Sequence, residues 1–199
     1  MRVLVACEYS GRVRDAFINM GHDAVSCDLL PTEVDGPHIQ GDVLEVINDN
    51  WDLMVAHPPC TYITNAGVRH LHSTPSKNGK LPKIHGQERW KLMYQACDFF
   101  NTLQNCDIPK ICIENPVPHK YARERIGNYT QIIQPWQFGH GETKKTCLWL
   151  KGLPKLVPTN IVEGREPRIH KMGPSKDRWK ERSRTYLGIA EAMAKQWSI

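Results

Sequence analysis

Trp51-Asp52-Leu53-Met54-Val55-Ala56-His57-Pro58-Pro59-Cys60-Thr61-Tyr62 opens as an apolar run, interrupted only by Asp52, and then stops at two prolines. A short apolar run bounded by polar punctuation reads as a strand buried on both faces. Each proline fixes its own φ and restricts the residue before it, so the strand ends there and the loop that follows is stiff. Cys60 therefore sits where a buried strand runs out into solvent. Three readings of this thiol stand open: a nucleophile, a metal ligand sharing the His57-x-x-Cys60 spacing, or a small core residue.

Outward from that stretch the same rhythm recurs. Arg2-Val3-Leu4-Val5-Ala6-Cys7 is a short apolar run, broken by Glu8-Tyr9-Ser10-Gly11 before a helical segment, Arg12 to Met20, that Gly21 stops. Ala24-Val25-Ser26-Cys27 ends at Asp28, and Pro109-Lys110-Ile111-Cys112-Ile113 ends at Glu114-Asn115-Pro116. Between them, Trp90, Met93, Tyr94, Cys97 and Phe100 recur at helical spacing within Gln87 to Leu103. Strands alternating with helices define an α/β protein, a mostly parallel sheet with helices on both faces. Ligands of such sheets lie off the carboxyl ends of the strands, which gathers Glu8 to Gly11, Asp28, His57 to Tyr62 and Glu114 to Pro116 on one edge.

Further strands are expected at Thr130 to Ile133 and Thr146 to Leu150, and a closing helix at Ile189 to Trp197. The stretch from Gly67 to Gly86, rich in Gly, Pro, Ser, His and Lys, is expected to be a mobile loop over the site. Cys7, Cys27, Cys97, Cys112 and Cys147 fall inside apolar segments, where core packing is expected. Trp136 and Trp149 are expected to pack in the core or at its edge, and His140 is either a turn residue or a ligand contact.

The chain has 199 residues, of which 40% are hydrophobic and 24% charged, enough for one buried domain spanning 1–199. Its seven cysteines include no Cys-x-x-Cys pair, and no secretory signal opens the chain, so reduced thiols in a cytoplasm are expected. No apolar run approaches the roughly 18 residues of a membrane span. Lys and Arg outnumber Asp and Glu by 26 to 21, and the excess crowds the Pro-containing segment 157–184. That segment is either a contact for a polyanion or a solvated charged face.

Pro58-Pro59-Cys60 after one strand and Glu114-Asn115 after the next form an uncommon pair, and with it the chain resembles the cytosine-C5 DNA methyltransferases, more narrowly their compact phage-encoded members. The resemblance runs in order through Ser10-Gly11, Asp28, Asp42, Pro58-Pro59-Cys60 and Glu114-Asn115, and the tail Tyr186 to Ala194 resembles the family's closing helix. It implies a Rossmann-like methyltransferase fold and S-adenosylmethionine as cofactor, held by Glu8, Tyr9, Ser10, Gly11, Asp28, Asp42 and Pro58. Cys60 would be the nucleophile that adds to cytosine carbon 6, and Glu114 would engage ring nitrogen 3 and the exocyclic amine. Asn115, Lys144, Lys145, Arg182 and Arg184 would contact substrate DNA.

The chain also departs from that family. Its cofactor turn is reduced to Glu8-Tyr9-Ser10-Gly11, and the family's Gln-x-Arg-x-Arg strand has only Lys144-Lys145-Thr146 or Arg182-Ser183-Arg184 in comparable places. In place of a large target-recognition domain stands only the segment 157–184, suited to phosphate contacts and compatible with a protein partner for target selection. If phage-encoded, the protein would work in the host cytoplasm. Two alternatives follow from these departures: a non-catalytic nucleic-acid-binding or host-interaction protein on the same fold, and a methyltransferase acting on RNA or a free pyrimidine nucleotide.

Overall fold

The computed structural model describes residues 1–73, 75 and 78–198. Seven strands form one sheet: β1 (Arg2–Ala6), β2 (Asp23–Asp28), β3 (His38–Gln40), β4 (Leu53–Ala56), β5 (Lys110–Pro116), β6 (Gln131–Ile133) and β7 (Thr146–Lys151), in the spatial order β3-β2-β1-β4-β5-β7-β6. The first five pair in parallel, and β7 runs antiparallel between β5 and β6. The order reverses between β1 and β4, the point at which open α/β sheets leave a crevice for ligands.

Side chains alternate across each central strand, and both faces are covered. Leu4, Ala6, Met54 and Ala56 face one way, onto Met93, Cys97 and Phe100 of the long helix α2 (Gly86–Asn105). Val3, Val5, Leu53 and Val55 face the other way, onto Val13 and Phe17 of α1 (Arg12–Asn19) and Ile189, Met193 and Trp197 of the last helix. The continuous apolar runs of these strands follow from that double burial, since neither face meets water.

Register places the site. Ala6 lies opposite both Cys27 and Ala56, and Ala56 lies opposite Ile113. The next residues along each strand, Cys7 and Glu8, Asp28, His57 and Glu114, therefore emerge at one edge of the sheet.

Several elements differ from the sequence expectations. Asn65–His72 is a 3₁₀ stretch rather than loop; it packs on α2 and buries Leu71. Of the loop expected to be mobile from Gly67 to Gly86, residues 74, 76 and 77 lie outside the described residues. The helices α3 (Lys120–Ile126), α4 (Arg168–Lys171) and α5 (Arg178–Ser183) occupy stretches whose charge hid any apolar periodicity. The closing helix α6 (Leu187–Trp197) starts two residues earlier than expected and packs on α1 beside the Glu8–Gly11 turn. Among the described residues no helix is long and apolar enough to cross a membrane.

Candidate functional site

The turn after β1 is held from within. Glu8 is buried, and its carboxylate accepts hydrogen bonds from the Val13 and Arg14 backbone N–H groups at 2.8 and 3.1 Å and from the Ser10 hydroxyl at 3.1 Å. It thereby caps the free N–H groups that open α1. Gly11 precedes the helix at φ +72, and a Cβ there would sit 2.6 Å from both Arg14 Nη2 and Val34 Cγ2. The fully buried Arg14 guanidinium donates to Ser26, Thr32 and the Val34 and Asp35 carbonyls, and pairs with Asp15 at 2.8 Å. Glycine's role at position 11 is thus to let this arginine fold under the turn.

Above the edge lies a cavity of about 350 Å³ lined by Cys7, Glu8, Tyr9, Ser10, Asp28, His57, Pro58, Cys60, Glu114, Asn115, Lys144, Arg182 and Arg184 among others. Of the residues assigned from sequence, Gly11, Asp42 and Lys145 do not line it. Asp42 belongs to an adjoining slot of about 290 Å³ with Cys7, Cys27, Asp28, Leu29, Val43, Pro59 and Phe99. Lys145 borders a third hollow of about 900 Å³, which shares Cys60, Thr61, Lys144, Trp179 and Arg182 with the first. Cys60 thus stands where the first and third hollows meet.

Cys7 packs against the core as expected, but it also faces the site. It lines both smaller cavities from the left-handed backbone region, at φ 58, and burial pushes its thiol up to about 12. Cys27, Cys97, Cys112 and Cys147 are fully buried. Trp149 is buried in the core, while Trp136 carries the Arg165 guanidinium 4.0 Å above its ring. His140 accepts a hydrogen bond from the Gly188 N–H at 3.0 Å, so it joins the β6–β7 connection to α6.

Cys60 is half-buried. Burial and the Glu114 charge raise its thiol pKa, while Lys144 and Arg182 pull it down. Its loop is tied to β5, because Asn115 Nδ2 donates to the Pro58 carbonyl at 2.9 Å. Asp28 Oδ1 accepts from the Leu30 N–H at 2.9 Å, and burial raises its pKa. Asp42 Oδ1 accepts from the Leu44 N–H at 3.0 Å and caps a 3₁₀ turn.

The two stretches considered for the missing Gln-x-Arg-x-Arg strand touch each other: Lys144 Nζ donates to the Arg182 carbonyl at 2.8 Å. The segment around α5 contributes Trp179, Arg182, Ser183, Arg184 and Thr185 to the cavity wall. Tyr9 hydrogen-bonds Ser183 at 2.8 Å and meets Trp179 with ring centroids 5.7 Å apart. Arg184 pairs with Glu33 at 2.7 Å and also with Glu181, so its charge is already engaged.

His57 is the site residue the sequence assignment left out. Its Nδ1 lies 2.9 Å from Glu114 Oε2, with the two side chains only 11% and 9% exposed. Burial alone would lower the His57 pKa, but the hydrogen bond and charge of Glu114 and the charge of Glu8 raise it. Burial alone would raise Glu114, but the bond to His57 and the Lys144 charge hold it below the usual carboxylate range. The signal was present in the sequence: His57 follows β4 directly and Glu114 lies near the end of β5, each one residue beyond the Ala56–Ile113 pair, and neighbouring parallel strands bring such positions together.

No protein-family model and no curated protein matches the chain. Solved structures do. A protein designated a DNA modification methyltransferase, encoded within an E. coli prophage, aligns with a TM-score of 0.50 at 14% identity over 82% of this chain and 52% of its own. The Entamoeba histolytica methyltransferase EhMeth aligns with a TM-score of 0.50 at 13% identity over 81% of this chain and 57% of its own. The chain therefore has a fold similar to those of S-adenosylmethionine-dependent methyltransferases. It spans little more than half the length of the structures it matches.

Proposed function

We propose that this chain is a methyltransferase acting on carbon 5 of cytosine in DNA through a covalent adduct with Cys60. The observation that carries the reading is the placement of Cys60 and Glu114 around one cavity, with Cys60 also open to a second, larger hollow. A base that bonds the thiol at carbon 6 while carbon 5 meets a methyl donor calls for such an arrangement. DNA as the substrate class is suggested by the prophage DNA modification methyltransferase that shares the fold.

The residues present suit S-adenosylmethionine. The slot lined by Cys27, Val43, Pro59 and Phe99 is apolar and sized for a purine, and the carboxylates of Asp28 and Asp42 at its rim suit ribose and adenine donors. Tyr9, Ser10 and Pro58 would line the remainder. The cofactor, when bound, supplies an electrophilic methyl group.

The chain's own groups account for the rest. Carbon 5 of cytosine is a poor nucleophile until the Cys60 thiolate adds to carbon 6 and makes the ring an enamine. Glu114 engages ring nitrogen 3 and the exocyclic amine, drawing electron density through the ring. Asn115 holds the Pro58 carbonyl, and the two prolines limit the loop, so the thiol stays within bonding reach. In a duplex the target base must leave the stack to reach it. Arg178, Arg182, Lys144 and Lys145 line the larger hollow, where they would hold phosphates and fix the strand without reading sequence.

Incubation with tritiated S-adenosylmethionine and DNA, RNA or dCMP tests the proposal, beside a Cys60→Ser control. Label on DNA cytosine that vanishes in the variant is expected. Label on RNA or dCMP alone would move the substrate class, and no cofactor binding by calorimetry would overturn the methyltransferase reading. DNA binding that weakens steeply with salt, without methylation, would point to a binding protein instead.

A further inference from the structure

Glu114 has to hand a proton to, or share one with, a ring nitrogen, yet its carboxyl is held ionised by its surroundings. A carboxylate held ionised is a poor proton donor by itself. The nearest titratable partner is His57, whose Nδ1 lies 2.9 Å from Glu114 Oε2. Its other ring nitrogen, Nε2, is buried and meets no protein partner among the described residues. A neutral ring bonded to Glu114 through Nδ1 leaves Nε2 as a bare acceptor; one added proton, placed on either side chain, gives the pair something to release.

Resting on the proposed cytosine chemistry, we infer that His57 is a positioning residue that orients Glu114 and stores the proton which ring nitrogen 3 takes up during thiolate addition. As the Cys60 sulfur bonds carbon 6, the C5–C6 π pair moves to C4–C5 and the C4–N3 π pair moves to nitrogen 3. Nitrogen 3 takes one proton from the pair, which is left as neutral His57 and the Glu114 carboxylate. Reversal of the addition returns the thiolate and the proton. No other reactant enters.

The groups around His57 fit a histidine that carries the proton near neutral pH. Glu114 on β5, Glu8 after β1 and Asp28 at the end of β2 favour its charge, while Lys144 before β7 and burial oppose it. The Cys60 thiol shares the cavity with it. A histidine whose pKa is raised holds its proton to higher pH than a free one, as a general acid requires.

The addition step can be read without methyl donor, as exchange of tritium from carbon 5 of cytosine in DNA into water. Addition needs a thiolate and, on this proposal, a protonated pair. Wild-type exchange should therefore rise with pH and then level off once His57 begins to lose its proton. His57→Gln keeps an N–H donor but cannot titrate; its exchange should be about a hundredfold slower near neutral pH and should keep rising where the wild type is flat. An unchanged rate and profile in an active His57→Gln protein would overturn the role of His57 and leave the proposed function intact. Exchange and methylation absent from the wild type on every substrate would overturn the proposed function, and this role with it. Should His57→Gln fail to fold, nitrogen-15 NMR of the wild-type ring decides. Titration above that of free histidine, moved down in Glu114→Gln, supports the pair, and ordinary titration in both overturns it.

Discussion

Asn115 Nδ2 donates a hydrogen bond of 2.9 Å to the carbonyl of Pro58, so the end of β5 holds the loop that presents Cys60. The bond is buried and spans two neighbouring strands. It fixes the nucleophile relative to Glu114, the residue just before Asn115, without using any side chain of the loop itself.

Asn115→Ala is expected to leave that carbonyl unpaired and the Cys60 loop free to shift. The stability loss should be about 1–3 kcal/mol, the cost of an unsatisfied buried acceptor. Methyl transfer should fall further than stability, by about a hundredfold, because misplacement of a reacting group by an ångström has that effect. Urea unfolding and transfer rates measured on the same protein check the two numbers; equal, small losses in both would show that the bond does not position the thiol.

Gly11→Ala tests the cofactor turn. The residue sits at φ +72, and the added Cβ meets Arg14 Nη2 and Val34 Cγ2 at 2.6 Å. A left-handed alanine costs about 1–2 kcal/mol by itself, and displacing a buried guanidinium adds to it. A loss of unfolding free energy, measured in urea, smaller than that cost would mean that the turn relaxes freely. Cofactor binding by calorimetry should weaken, since Tyr9 and Ser10 stand on the same turn.

The central fold was legible because double burial writes itself into sequence: β1, β2, β4 and β5 are largely apolar runs, and a polar residue near or just past the end of each, Glu8, Asp28, His57 and Glu114, reaches the site edge. β3 was not legible. His38, Ile39 and Gln40 form an edge strand of three residues, none of them fully buried, so there is no apolar run to find. α3 buries only Ala122 and Ile126 among seven residues, and α5 buries none, which leaves charge as the dominant signal. The antiparallel sense of β7 depends on a connection whose path no local pattern encodes. At the site, residue types and order sufficed to bring Cys60 and Glu114 together, but the direction of the His57 ring depends on register between β4 and β5 and on the space beside Glu114.

Lys144 is expected to set the reactivity of Cys60. Burial and Glu114 push the thiol up, and Lys144 is the first of the charges pulling it down. Lys144→Met should raise the thiol pKa further. The thiolate is the reacting species, so alkylation of Cys60 by iodoacetamide near neutral pH should slow by about tenfold. Peptide mass spectrometry across a pH series checks both the rate and the upward displacement of the profile. An unmoved profile would assign the lowering to Arg182, the next cation acting on the thiol.

The His57–Glu114 pair should give stability its own pH window. The folded pKa of His57 is raised above its ordinary 6.5, against the effect of burial, so its contribution is fully present below 6.5 and is lost as pH rises through the folded value. The folded pKa of Glu114 lies below its ordinary 4.5, again against burial, so its contribution is present above 4.5 and is lost as pH falls through the folded value. The pair therefore stabilises most between 4.5 and 6.5. Glu114→Gln keeps the hydrogen bond but removes the charge, and should cost about 1–3 kcal/mol inside that window. The difference in urea midpoint between wild type and variant should narrow on both sides of it: on the alkaline side as His57 loses its charge, on the acid side as Glu114 gains a proton. A difference that stays constant from acid to alkaline pH would mean that the two side chains meet as neutral groups throughout.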